Sequence, residues 1–254
     1  MHTIEAIPAF RDNYIWVIRN NQYAAAVDPG DAAPLLYHLE SEGLALVAIL
    51  NTHHHADHVG GNLELKEKYS CPIYGPSKEF IPGMTHPLSE GQQVLLPGLG
   101  MTLDVLDIPG HTSGHIAYFW EGRLFCGDTL FGCGCGRVFE GTMEEMHASL
   151  MKLSSLPGDT LVYCAHEYTL ANIRFARKVE PGNGDLVERE EEAMALMKNK
   201  LPTLPSTIEL EKRTNPFLRC GVSEVFESAA RHSASRPKNE LEAFIILRAW
   251  KNAF

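Results

Sequence analysis

The sequence has no run near the roughly 18 apolar residues that cross a bilayer. Its start, Met1-His2-Thr3-Ile4-Glu5, lacks the basic and then apolar stretches of a secretory signal, so none is expected. Positive charge is scarce: 22 Lys and Arg stand against 32 Asp and Glu, a formal net charge of −10. That balance argues against non-specific nucleic-acid binding as the main task, while leaving room for a local basic pocket around a small anion. The 6 cysteines show no disulfide-scaffold spacing, and a chain of 254 residues needs no such framework. Cys126 and Cys164 sit in apolar runs and read as core thiols. Cys133-Gly134-Cys135 has a one-residue gap, poor spacing for a zinc pair, and reads as a glycine-rich loop. We expect a reducing, cytoplasmic setting and a monomer. No repeat of about 20–50 residues and no low-complexity segment is present.

What remains is an ordinary globular composition, 44% hydrophobic and 21% charged, enough for one large domain with a small appendage. Thr3 to Ile7, Tyr14 to Arg19 and Tyr23 to Asp28 read as strands. Asp31 is placed to cap a helix over Ala33 to Glu42, which Gly43 ends. Leu46 to Leu50 is a buried strand, and Asn62 to Tyr69 a helix. Residues 76–100 carry little signal. Met101 to Ile108, His115 to Trp120, Arg123 to Cys126 and Thr160 to Cys164 are strands. Thr142 with Glu145 forms a capping box for a helix that Pro157-Gly158 stops. Beyond Glu167 the pattern is helical with almost no strand signal. Strands alternating with helices give an α/β layer architecture. We expect a catalytic domain over 1–168 and a smaller helical, substrate-binding domain over 169–254.

The chemistry concentrates at strand ends. Leu46-Val47-Ala48-Ile49-Leu50 runs into Thr52-His53-His54-His55-Ala56-Asp57-His58. Three other strands end in Pro109-Gly110-His111, Gly127-Asp128 and Ala165-His166. Functional groups of open α/β sheets gather at the carboxyl ends of strands. His53, His55, Asp57, His58, His111, Asp128 and His166 offer imidazole and carboxylate donors suited to Zn²⁺, Fe or Mn. Seven donors exceed one tetrahedral site and match two metals, with Asp128 as the bridge because a carboxylate has two oxygens to share. In an extended segment His53 and His55 face one point, and Asp57 and His58 a second. Alternation turns His54 away, and His115 opens a strand and bonds the loop.

The run at 52–58 resembles the T-H-x-H-x-D-H motif of the metallo-β-lactamase superfamily, with Gly110-His111, Gly127-Asp128 and His166 in that superfamily's order. Stretches along nearly the whole chain carry a narrower resemblance to the glyoxalase II (hydroxyacylglutathione hydrolase) family. They are Asp12-Asn13-Tyr14-Ile15-Trp16, residues 109–115, residues 135–142, Ala165-His166-Glu167-Tyr168-Thr169, residues 214–219 and Leu247-Arg248-Ala249-Trp250-Lys251. The resemblance implies a four-layer αββα sandwich and a dinuclear site. One metal would lie on His53, His55 and His111, the other on Asp57, His58 and His166, with Asp128 bridging. It implies glutathione binding by Arg137, Tyr168, Arg248 and Lys251. A tyrosine often precedes Glu-Gly-Thr in the family; here Phe139 keeps a ring contact and drops a hydroxyl bond of about 0.5–1.5 kcal/mol.

The implied reaction is hydrolysis of S-D-lactoylglutathione and related 2-hydroxyacylglutathiones by a metal-activated hydroxide, with Asp57 and Asp128 as catalytic carboxylates. Zn²⁺ is the expected metal, with Fe or Mn compatible. Competing readings are a lactonase or β-lactamase of the same superfamily, an iron persulfide dioxygenase, and a non-catalytic metal-binding protein. Arg248 and Lys251 in the helical tail favour glutathione over the lactone and β-lactam alternatives. The complete donor set argues against the dioxygenase, whose site keeps fewer protein ligands.

Overall fold

The computed structural model describes residues 2–233 and 235–254. The chain divides into two compact units. The first runs to Asp107 and resumes over Thr112–Gly127; the second comprises Ile108–His111 and Asp128–Phe254.

The first unit holds β1 (Thr3–Ala9), β2 (Asn13–Arg19), β3 (Tyr23–Val27), α1 (Ala32–Glu42), β4 (Ala45–Leu50), α2 (Ala56–Val59) and α3 (Asn62–Tyr69). It continues with β5 (Ile73–Pro76), β6 (His86–Leu88), β7 (Gln93–Leu96), β8 (Met101–Asp107), β9 (Ile116–Trp120) and β10 (Arg123–Gly127). One sheet runs β1 to β6 in order, antiparallel through β3 and parallel from β3 to β6. Its central strands are buried almost throughout, as strands covered on both faces must be. Leu35 and Leu39 of α1 and Leu65 of α3 pack with Ile15, Val17 and Ile49 in one apolar cluster. Asp31 caps α1 by accepting from the Ala33 amide, and Gly43 closes it at φ +67°. In the second sheet β7, β8, β9 and β10 are successive antiparallel neighbours. Over Met101–Val105 buried and exposed residues alternate, the signature of a sheet with one face on a core.

The stretch with little signal, 76–100, contributes β6 and β7. Pro87 lies within β6, the last strand of its sheet, where a missing N–H costs no ladder bond. The histidine run differs from expectation too. The strand ends at Leu50, Thr52 and His53 lie in a bend, and α2 begins at Ala56, so a helical turn rather than strand alternation places Asp57 and His58.

The second unit holds β11 (Leu130–Phe131), β12 (Gly134–Cys135), α4 (Met143–Ser154), β13 (Leu161–Cys164), α5 (Thr169–Val179) and α6 (Gly184–Lys198). After these come β14 (Ser206–Thr207), α7 (Ile208–Thr214), α8 (Ser223–His232) and α9 (Glu240–Ala253). The capping box of Thr142 and Glu145 starts α4. Phe217, in the turn after α7, stacks on Phe175 of α5 and meets Phe244 of α9 edge to face. The buried pair Arg189–Glu211 joins α6 to α7, and Glu211 also accepts from the Cys133 amide, tying down the β11–β12 turn. Among the described residues no helix is long and apolar enough to cross a membrane.

Candidate metal centre

Parallel pairing of β3 with β4 brings their C-terminal ends side by side. Asp28, just past β3, therefore meets the histidine run just past β4. Its buried carboxylate accepts from the Thr52 amide at 2.8 Å and the Thr52 hydroxyl at 2.7 Å, and stands 3.1 Å from His58 Nδ1. The Thr52 hydroxyl has one proton and spends it on Asp28. It must then accept from His53 Nδ1, 3.0 Å away. That fixes the His53 tautomer and leaves Nε2 with its lone pair, 3.1 Å from His55 Nδ1. His58 Nδ1 faces the Asp28 carboxylate, and its Nε2 lies 3.5 Å from Asp57 Oδ2. Asp57 is held in turn by Asn13, whose amide donates to Oδ2 at 3.0 Å. His54 meets His55 edge to face, and buried His115 stacks on His53 while its Nδ1 bonds the Ile116 carbonyl.

Gly30 makes this packing feasible. A Cβ there would fall 1.8 Å from the Asp57 carbonyl oxygen.

The second unit, taken by itself, contains His111, Asp128 and His166. Asp128 Oδ2 lies 3.5 Å from His111 Nε2 and 3.3 Å from His166 Nε2, between two imidazoles that do not share its strand end. His111 Nδ1 donates to the Arg137 carbonyl at 2.8 Å, again leaving Nε2 for a cation. His166 is stacked flat on Tyr168 at 4.7 Å.

The same unit contains a cavity of about 490 Å³ lined by His111, Asp128, Arg137, Phe139, Tyr168, Arg248 and Lys251 among others. Every residue that the sequence pointed to for substrate lines it. Phe139 is exposed, with its ring edge-on to His111 at 5.4 Å. Arg248 is only 3% exposed; it donates to the Cys135 carbonyl at 2.7 Å and lies over Phe217. Its Nε finds no partner among the described residues. Lys251 has its pKa lowered to about 8, first by burial and then by repulsion from Arg248 and Arg137.

Seven donors, with His53 and His111 each fixed in tautomer by a hydrogen bond on the opposite ring nitrogen and His58 Nδ1 facing the Asp28 carboxylate, fit a dinuclear metal site in number and chemistry. Asp28 and Asn13 were not singled out from the sequence. For Asp28 a signal existed: it follows an apolar strand, as the ligand-type residues do. Asn13 lies in a stretch that carries the resemblance, but its role was not legible, because its partner is 44 positions away.

Residues 9–166 match the metallo-beta-lactamase superfamily, and the chain belongs to it. Solved structures agree on the fold. ETHE1 from Myxococcus xanthus aligns with a TM-score of 0.66 at 24% identity over 99% of both chains. TTHA1623, solved in a di-iron-bound form, aligns at 0.60 and 27% identity, covering 85% of this chain and 100% of that one. Residues 167–254 match the hydroxyacylglutathione hydrolase C-terminus. The "Hydroxyacylglutathione hydrolase" of Nitrosomonas eutropha is 52% identical over 98% of this chain and 97% of its own length. Within the superfamily, the chain belongs to the hydroxyacylglutathione hydrolase family.

Proposed function

We propose that the chain hydrolyses S-D-lactoylglutathione and related 2-hydroxyacylglutathiones to the free acid (D-lactate from the lactoyl ester) and glutathione, the second step of methylglyoxal detoxification. The observation that carries this reading is the single cavity in which His111 and Asp128 share walls with Arg137, Arg248 and Lys251. A glutathione thioester bears two carboxylates and one ammonium, a net negative charge. The three cations gather local positive charge in a chain whose total is −10. Arg137 and Arg248 can each fork onto a carboxylate. The unpartnered Nε of buried Arg248 supports a ligand role.

We infer two divalent cations, zinc by assignment, with iron or manganese compatible with the same donors. His53, His55 and His111 would hold one; Asp57, His58 and His166 would hold the other. Asp128 is the shared ligand, an assignment supported by its Oδ2 lying within 3.5 Å of both His111 and His166. When bound, such cations lower the pKa of water from 15.7 to about 7 and polarise a carbonyl oxygen. The chain's own residues do the rest. Asp28 and Thr52 set the His53 tautomer, and Asn13 aims the Asp57 carboxylate. Arg137 has two tasks, since its carbonyl orients His111 while its side chain lines the cavity. Hydrolysis forms a bond from water oxygen to the carbonyl carbon and breaks the C–S bond, whose electrons leave on sulfur. A thiol of pKa near 8.5 departs as thiolate without a proton from a side chain.

We assign residues 1–168 to catalysis and 169–254 to substrate binding, a partition supported by the two family matches meeting at 166 and 167. We place the enzyme in the cytoplasm as a monomer; six free buried cysteines support a reducing compartment. The test is turnover of S-D-lactoylglutathione beside a lactone and a β-lactam, before and after chelation, with metals counted. Turnover of the thioester alone, lost on chelation and restored by two equivalents of metal, is expected. An intact thioester with both cations bound overturns the assignment.

A further inference from the structure

Lys251 is a third cation beside two guanidiniums, and it is half-buried. Burial and repulsion from Arg248 and Arg137 both oppose its charge. An unrestrained lysine in that position would swing its flexible stem towards water, since an ammonium is strongly hydrated. Among the described residues its one hydrogen bond is to the Ala171 carbonyl, at 3.3 Å. Two aromatic faces hold it as well. Nζ lies 5.3 Å from the ring centre of Phe175 and 5.4 Å from that of Phe254. The two rings meet edge to face at 5.4 Å. Both distances are within the reach of the cation–π attraction.

The components have different origins. Phe175 is fully buried on α5 and belongs to the aromatic stack of this unit. Phe254 follows Lys251 by three positions at the end of α9, the spacing at which side chains on a helix meet. It is 60% exposed, so burial of its own apolar surface does not account for it. It also lines the cavity that holds Arg137, Arg248 and Lys251.

We propose that Phe254 is a positioning residue that clamps the Lys251 ammonium against Phe175, fixing it for a carboxylate of the glutathione thioester and setting affinity for that substrate class. The proposal rests on the functional reading above. An ammonium has three donors, and one is used on Ala171. The clamp confines the stem before substrate arrives, so less freedom is lost on binding. Ordering one rotamer-rich side chain at an interface is worth about a two- to ten-fold change in affinity.

The experiment uses the full chain with its metals. Phe254→Leu keeps apolar volume and removes the π face; Phe254→Trp restores a face. Phe254→Leu is expected to raise KM for S-D-lactoylglutathione by about two- to ten-fold, with kcat within two-fold and KM recovered in Phe254→Trp. In a Lys251→Met background Phe254→Leu should have no further effect. Independent of turnover, the Cε protons of Lys251, assigned by their loss in Lys251→Arg, should be shifted upfield by the two rings and move downfield in Phe254→Leu. An unmoved resonance overturns the clamp, as does a KM change that persists without Lys251. Failure of the native chain to hydrolyse the thioester overturns the functional reading instead, and the resonance still decides the clamp.

Discussion

The Asn13 side chain binds Asp57 twice, donating to Oδ2 at 3.0 Å and to the main-chain carbonyl at 3.4 Å. Asn13 begins β2, so the antiparallel β1–β2 hairpin holds the carboxylate that α2 presents. Partners of this kind fix a ligand's orientation, and their loss costs about 10–100-fold in metal affinity or activity. Asn13→Ala is therefore expected to lower metal affinity by that factor. Chelator competition with metals counted per chain is the measurement, and native affinity in the variant would remove Asn13 from the design. Asn13→Asp should be worse, because it sets one carboxylate against another.

Gly30→Ala should disturb the same place from the opposite side. The added methyl would meet the Asp57 carbonyl oxygen at 1.8 Å, and backbone on both sides has little freedom to retreat. Overpacking of this kind costs about 1–3 kcal/mol. We expect a lower Tm together with weaker metal retention; a variant that melts like the native chain would show that the loop yields freely.

Lys251 makes substrate affinity depend on pH. In the role proposed above its ammonium form pairs with a substrate carboxylate, and its pKa is lowered to about 8. As pH rises through about 8 the charge is lost, so kcat/KM should fall on the alkaline side. Lys251→Arg keeps a cation that does not titrate in this range and should abolish that limb. For folding the sign is opposite. Between about 8 and the ordinary lysine value of 10.5 the unfolded chain binds more protons, so this group's contribution to stability rises with pH. A pH–rate profile that is the same for lysine and arginine would assign the alkaline limb elsewhere.

Arg189 of α6 and Glu211 of α7 form a buried ion pair. Burial works against the Arg189 charge, and Glu211 together with Cys133 and Cys164 more than offsets it, so the guanidinium is held above its ordinary pKa. Arg189 also donates to Ser206 and Thr214, while Glu211 accepts from the Cys133 amide and from Asn215. Arg189→Met strands the carboxylate and should destabilise the chain by about 3–5 kcal/mol. Denaturant unfolding measures it, and a loss under 1 kcal/mol would mean that Glu211 finds other partners.

Most of the secondary structure was readable because its signals are local. Asp31 and Gly43 bracket α1, and Thr142 with Glu145 opens α4, through bonds spanning a few residues. The ligand-type residues were readable for a related reason: an apolar run followed at once by histidine or aspartate marks a strand end. The weaker elements were not. The edge strand β6 contains a proline, and α7 is only seven residues long, so neither presents a full period of its pattern.

By itself the sequence determined the inventory: seven donors of metal-binding type, an excess of acid, and cations reserved for particular places near residues 137 and 250. Tertiary structure alone decided which atoms of that inventory are usable. A ring nitrogen is left for a cation only when the other nitrogen is engaged. That partner is Thr52 backed by Asp28 for His53, and the Arg137 carbonyl for His111. Thr52 adjoins His53, but Asp28 stands 24 residues from Thr52 and Arg137 stands 26 from His111. Their geometry depends on sheet order and on close backbone approach at Gly30, which no local pattern encodes.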